Sequence, residues 1–200
     1  MDKVRNQQRR KRILEATVRI IGREGPGSVT HRAVAAEADV PLAATTYYFA
    51  SKEVLFNEAL TMSVQTDLAE LEVLARAMSK SPASVEAFAQ ALAGFLAGQL
   101  RRRRTTVVAQ YELALEAARH SSLRPAARAA TEAYVRLCQV MLERIGSLDP
   151  AADAPLLVAV MDGLLLDQLS GSRSPFDVRE LACQLRRFIA GQLQAPARSD

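Results

Sequence analysis

Lys52 is the residue whose placement most clearly suggests chemistry. Ser51 is a good N-cap, and Lys52 stands in the first turn of the helix it opens, ahead of Glu53. The helix macrodipole favours an acid such as Glu53 there and disfavours a lysine. An ammonium beside unpaired helix N-terminal amides instead makes a site for a phosphate oxygen. The plainer alternative is a solvated lysine with no task. Just upstream, Leu42, Ala43, Ala44, Thr45, Thr46, Tyr47 and Tyr48 form a stretch of small and aromatic side chains. Small side chains let a helix approach base edges closely. Thr and Ala methyls meet thymine methyls, and tyrosine hydroxyls reach phosphates. The run Arg9-Arg10-Lys11-Arg12 is either a solvated helix face or an arm on phosphates; its nearness to this stretch favours the second.

Other chemistry finds little footing. The histidines are His31 and His120, and the cysteines Cys138 and Cys183 fit no metal or redox spacing. There is no glycine-rich phosphate loop and no nucleophile elbow. No catalytic residue, metal site or cofactor is therefore expected, and an enzyme is the least supported class. The second arginine run, Arg101 to Arg104, reads as a solvated helix end whose cations suit the C-terminal dipole and pair with Glu112 or Glu116.

The elements that must position these residues read as helical nearly throughout. In the first, about Arg5–Glu24, Ile13, Leu14, Thr17, Ile20 and Ile21 recur at spacings of three and four. Gly25-Pro26-Gly27 ends it. Thr30 is a candidate N-cap for a short helix from His31 to Ala38, and Asp39-Val40 makes a tight turn. Pro41 suits the first turn of a second short helix that runs through Tyr48-Phe49. Two short helices across a tight turn, braced by a longer one in front, make a helix-turn-helix. Its second helix enters the major groove of duplex DNA. Behind it follow a long helix from Ser51 and amphipathic stretches near 83–101, 104–120, 123–145, 153–169 and 175–193. The expected class is all-α, with about nine helices. A helix-turn-helix domain would take residues 1–51 and a helical effector-binding and dimerisation domain residues 52–200.

Composition agrees. The chain is 200 residues long and 49% hydrophobic, which suits a packed globular protein. No run is long and apolar enough for a membrane span, and the start passes straight into a basic cluster. A reduced, cytoplasmic protein without a membrane partner is the reading. Charge is uneven: residues 1–52 hold ten Lys/Arg against five acids, whereas the whole chain nets only +4. A basic head on a near-neutral body points to a polyanion partner for the head and another task for the rest.

Residues 12–55 resemble the N-terminal domain of the tetracycline-repressor (TetR) family. The resemblance rests on Arg12-Ile13-Leu14-Glu15-Ala16, Gly25, Thr30, Val34-Ala35, Ala38-Asp39-Val40, Tyr47-Tyr48-Phe49, Ser51-Lys52-Glu53 and Leu55. It implies a homodimer that grips palindromic operator DNA and lets go when a small-molecule effector binds the second domain. By the family pattern Val40, Thr45 and Phe49 face the module's own core, while Leu42, Ala43, Ala44, Thr46, Tyr47 and Tyr48 face DNA. Thr30 and Arg32 lie against the backbone, with Lys52 as a phosphate anchor. This chain departs from the pattern at Thr46, three residues before Phe49, where the family most often has tyrosine. The register of base contacts stays open by a residue there.

In the body, Phe95, Gln99, Tyr111, Glu112, Tyr134, Cys138 and Asp162 are candidate effector contacts, with Phe88 and Met141 as further lining. Leu157, Met161, Leu164, Leu181, Leu185 and Phe188 are candidates for the dimer interface, because their helices carry surplus apolar surface. A regulator with no small-molecule effector, constitutive or protein-controlled, and a helical protein-interaction scaffold remain the alternatives.

Overall fold

The computed structural model describes residues 2–78, 83–171 and 176–193, and these contain eight α-helices and no strand. In chain order they are α1 (Asp2–Glu24), α2 (His31–Ala38), α3 (Leu42–Tyr48), α4 (Lys52–Met78), α5 (Val85–Arg119), α6 (Arg124–Arg144), α7 (Pro150–Leu169) and α8 (Val178–Leu193). Short 3-10 turns at Pro26–Ser28 and Ser121–Leu123 link α1 to α2 and α5 to α6. One helix fewer than expected arises because 83–101 and 104–120 are joined in α5. The expected interruption survives as a kink at Arg103, whose backbone is non-helical (φ −134°, ψ 21°).

Two compact units form. The first comprises residues 1–66 and 104–130, the second 67–103 and 131–200. This differs from an in-line split after residue 51. Long α4, α5 and α6 each contribute a segment to both units, which chain order cannot reveal.

The core of the first unit follows the helical period. Ile13, Leu14, Thr17, Ile20 and Ile21 of α1 are buried, with Val34, Ala35 and Ala38 of α2, Thr45 of α3, and Phe49. Thr17 satisfies its buried hydroxyl by donating to the Ile13 carbonyl at 2.9 Å. Gly25 ends α1 with φ +81°, a conformation other residues adopt only with strain. Glu37 of α2 ties itself to α1, accepting from Arg19 at 2.6 Å and Arg23 at 2.7 Å. Hydrogen bonds from Arg19 and Arg23 hold the Glu37 carboxyl below its ordinary value. On α1, Gly22 allows the closest approach: an added Cβ would overlap the Thr105 carbonyl of α5.

In the second unit, Phe88, Leu92, Leu96, Leu142, Leu157, Leu185 and Ile189 are buried. Asp149 caps α7 by accepting from the Ala152 amide at 3.1 Å.

Candidate functional site

The helix-turn-helix is built by local caps. Thr30 caps α2, its hydroxyl oxygen accepting from the Ala33 amide at 3.1 Å. Asp39 makes the turn in the left-handed region (φ 50°, ψ 57°), where the Arg12 guanidinium holds it. Pro41 sits at the N-cap of α3 rather than inside its first turn. Thr45 is fully buried and donates to the Leu42 carbonyl at 2.8 Å, which fixes the inward face of α3. Phe49, also fully buried, has the Arg10 guanidinium 5.5 Å above its ring.

The outward face of α3 carries Leu42, Ala43, Thr46 and Tyr47, all exposed, with Tyr47 at 77%. Tyr48 is half-buried and meets Tyr47 edge-on, ring centroids 5.1 Å apart. Ala44 is the most covered of the α3 positions expected at DNA, at 9% exposure, and it lies on the side of α3 that faces α1. The Thr46 hydroxyl donates to the Ala43 carbonyl at 3.2 Å, which leaves its methyl and an acceptor lone pair for a partner. Arg32 is exposed.

The basic run of α1 divides by helical phase. Arg10 pairs with Glu58, Lys11 with Glu15 at 3.6 Å, and Arg12 with Asp39. Arg9 instead joins Arg5 and Asn6 along a concavity of about 500 Å³, facing Pro41, Ala43, Ala44, Tyr47 and Tyr48 of the α3 segment. Arg5 and Asn6 are functional candidates that the sequence reading passed over. The signal was available: Arg5 and Arg9 are one helical turn apart and share a face.

Lys52 opens α4, whose Val54 amide donates to the Ser51 hydroxyl at 3.3 Å. The Ser51 side chain and the backbone at its own position hold the Glu53 carboxyl low. The Lys52 ammonium lies 5.2 Å from the Phe56 ring centroid, on the same face of the helix.

In the second unit, the polar centre is one that the sequence reading missed, Asp67. It is buried and accepts from Tyr134 at 2.8 Å, from Gln99 at 3.3 Å and from Arg103. The signal lies in its spacing. Asp67 falls between Val64 and Leu71, a carboxylate in the buried stripe of α4. Burial first, then the Asp67 charge, pushes the Tyr134 phenol strongly up, so it remains a hydrogen-bond donor. Gln99 is 3% exposed and its Oε1 has no partner.

One turn further along α4 and α6 lies an apolar slot of about 20 Å³ whose walls include Leu71, Phe88, Leu92, Cys138 and Met141. Burial pushes the Cys138 thiol up to about 12. Phe95 is buried beside this region of α5. Two candidates, Tyr111 and Glu112, belong to the first unit; Asp162 is exposed in the second, and its charge bears on Tyr134.

The second arginine run is another correction. It surrounds the α5 kink rather than a helix end. Arg102 pairs with Glu70 at 2.7 Å and Arg103 with Asp67, while Glu116 takes Arg119 and His120. The dimer candidates also change. Leu157, Met161, Leu181 and Leu185 are core, leaving Leu164 and Phe188 half-buried. The open apolar positions of α7 are Leu156 and Leu166, with Ala159 and Gly163 between them.

These features fit a known family of regulators. Residues 13–59 match the model of bacterial regulatory proteins of the tetR family, and residues 83–193 match the tetracyclin repressor-like C-terminal domain. The chain belongs to the TetR family. It is a TetR-family transcriptional regulator with an N-terminal helix-turn-helix and a C-terminal helical domain. It is similar to the multidrug binding protein EbrR complexed with imidazole, at 33% identity and TM-score 0.71, over 96% of this chain and 98% of that one. A TetR-family member from Streptomyces coelicolor A3 is 35% identical with TM-score 0.73, over 90% and 96% of the two chains. A transcriptional regulator from Rhodococcus sp. Rha1 is 26% identical with TM-score 0.75, over 92% and 96%. No curated protein matches the chain. Among the described residues, no helix is long and apolar enough to cross a membrane.

Proposed function

We propose that this TetR-family regulator is a cytoplasmic homodimer that binds a palindromic DNA operator through α3 and releases it when a small molecule enters the second unit. The observation that carries the DNA half is the division of α3. Thr45 is buried beneath it, while Leu42, Ala43, Thr46 and Tyr47 stand open, Ala43 and Tyr47 facing Arg5 and Arg9. Arg5, Arg9, Arg32 and Lys52 bind phosphates, and the Thr30 hydroxyl, which caps α2 through its oxygen, donates its proton to another. The exposed side chains of α3 read bases, and Tyr48 supports them from the edge. The work of the chain is binding rather than catalysis.

One head reads one half-site, so pairing is needed to span a palindrome. The open stripe Leu156, Ala159, Gly163 and Leu166 on α7 serves that pairing, with Leu164 and Phe188 at its margin. Support for a small-molecule effector comes from the likeness to EbrR, a multidrug binding protein whose structures hold imidazole or ethidium. One observation favours the rival, a regulator without such an effector: the slot of about 20 Å³ is too small for a drug-sized molecule as it stands.

The test is selection of bound sequences from a random duplex pool, followed by affinity measurement across salt. A palindromic consensus bound at least about a thousandfold tighter than scrambled duplex is expected. Equal affinity for both would overturn the DNA reading. A panel of small molecules is then screened for operator release; none releasing it would favour the rival.

A further inference from the structure

The arrangement around Asp67 has the form of an occupied cation site. A carboxylate has been set in the buried stripe of α4, and α5 and α6 bring Gln99, Arg103 and Tyr134 onto it. The Gln99 amide must turn its NH2 toward the carboxylate, which accepts only. Its Oε1 is then left buried with no donor. A buried acceptor without a partner is disfavoured and uncommon in native interiors. Asp67 and Gln99 Oε1 therefore ask for the same thing, an N–H donor, and Arg103 serves only the first.

Arg103 is also the residue at which α5 leaves helical geometry (φ −134°, ψ 21°). Its side chain is 20% exposed against 4% for Asp67, so it covers the carboxylate from the solvent side. The apolar slot follows directly. Leu71 and Cys138 lie one turn beyond Asp67 and Tyr134 on their helices, about 5–6 Å along each.

We propose that Arg103 is a built-in occupant of a cation site, and that the effector is an organic cation whose N–H groups replace Arg103 on Asp67 and satisfy Gln99 Oε1 while its apolar body opens the slot toward Leu71 and Cys138. The proposal rests on the effector-released reading above and names the effector's chemistry. Exchange of one cation for another keeps the buried carboxylate paired throughout, which avoids the large penalty of an unpaired buried charge. Withdrawal of Arg103 also frees the residue at the kink, so occupancy is coupled to the geometry of α5. A neutral or anionic molecule has no such route in, because it brings no positive charge to take the place of the guanidinium.

The experiment titrates the full-length protein, without DNA, with two fluorescent probes of similar size. One is a cationic aminoacridine and the other an anionic anilinonaphthalene sulfonate. The cation is expected to bind the unaltered protein. Binding should weaken roughly tenfold or more in Asp67→Asn, and tighten several-fold in Arg103→Met, where the internal competitor is gone. Because Asp67→Asn leaves Arg103 half-buried and unpaired, the double variant Asp67→Asn/Arg103→Met is titrated as well; it should fold and still bind the cation weakly. Failure of the cation to bind, equal binding in the double variant, or weaker binding in Arg103→Met would each overturn the proposal. Operator release is read separately with a benzamidine, a cation that does not intercalate. Cation binding at Asp67 without release would sink the effector reading and leave the site standing. Release by the sulfonate, insensitive to both substitutions, would do the reverse.

Discussion

The guanidinium of Arg12 closes on Asp39, 2.9 Å from its carbonyl oxygen and 3.1 Å from its carboxylate. Asp39 is the residue with φ +50° at the centre of the helix-turn-helix, so α1 holds the turn that aims α3. The Asp39 side chain is 98% exposed, and an ion pair in that setting contributes little. The left-handed backbone is the larger effect, worth about 1–2 kcal/mol for a residue with a Cβ. Asp39→Gly should therefore match the parent or be up to about 1 kcal/mol more stable, because relief of the backbone outweighs the lost pair. Asp39→Val should lose about 1–2 kcal/mol in urea unfolding, since a β-branched residue fits this region worst. Equal stability of the two variants would show that the turn is not strained.

Gly22 fits against the Thr105 carbonyl, and its replacement sets two effects in opposition. Alanine raises helix propensity by about 1 kcal/mol. Against that, the new methyl would overlap backbone, which cannot rotate away as a side chain would. We expect the clash to win, with Gly22→Ala about 1–2 kcal/mol less stable. A stabilised variant would mean that α1 and the Thr105 segment separate easily.

Lys52→Ala should weaken binding about equally on cognate and scrambled duplex and reduce the salt slope by roughly one phosphate contact. Arg9→Ala should do the same, whereas Lys11→Ala, whose charge already meets Glu15, should leave the slope nearly unchanged. Thr46→Val keeps the methyl and removes the acceptor, so it should relax preference at particular base pairs with little change elsewhere. Filter binding across salt and on single-base operator variants separates these outcomes.

Acid should act through Glu37. Hydrogen bonds from Arg19 and Arg23 lower its folded value below the ordinary 4.5, so its contribution is full above that ordinary value. It is lost as pH falls through the lower, folded value. Glu37→Gln should therefore be less stable than the parent near neutrality, and the two should converge once pH falls below the lowered, folded value. Parallel stability curves across that range would rule out Glu37 as a source of acid sensitivity.

The two cysteines should differ in reactivity. Cys138 is buried with its thiol pushed up to about 12, while Cys183 is exposed on α8. Iodoacetamide at neutral pH should label Cys183 in the native chain and reach Cys138 only in denaturant. Native labelling of Cys138 at a comparable rate would show that the slot beside it opens readily.

The helix-turn-helix was legible in the sequence because its determinants are local. Period, caps and turn residues act within a few positions, so the Thr30 and Ser51 caps follow from spacing, while the inward Thr45 and Phe49 follow from the family pattern. Even the α5 kink was visible as a gap between two periodic stretches. Tertiary structure decided what no short window contains. Ala44 is covered because it lies on the side of α3 that faces α1. Leu157, Met161, Leu181 and Leu185 became core because α7 and α8 spend those faces inside their own unit. Lys52 kept its place at the head of α4, and the structure adds Arg5 and Arg9 beside α3. Asp67 depends on Gln99, Arg103 and Tyr134, from helices more than thirty residues away along the chain. A buried charge acquires meaning only from the groups that reach it, and their convergence is a property of packing, not of sequence order.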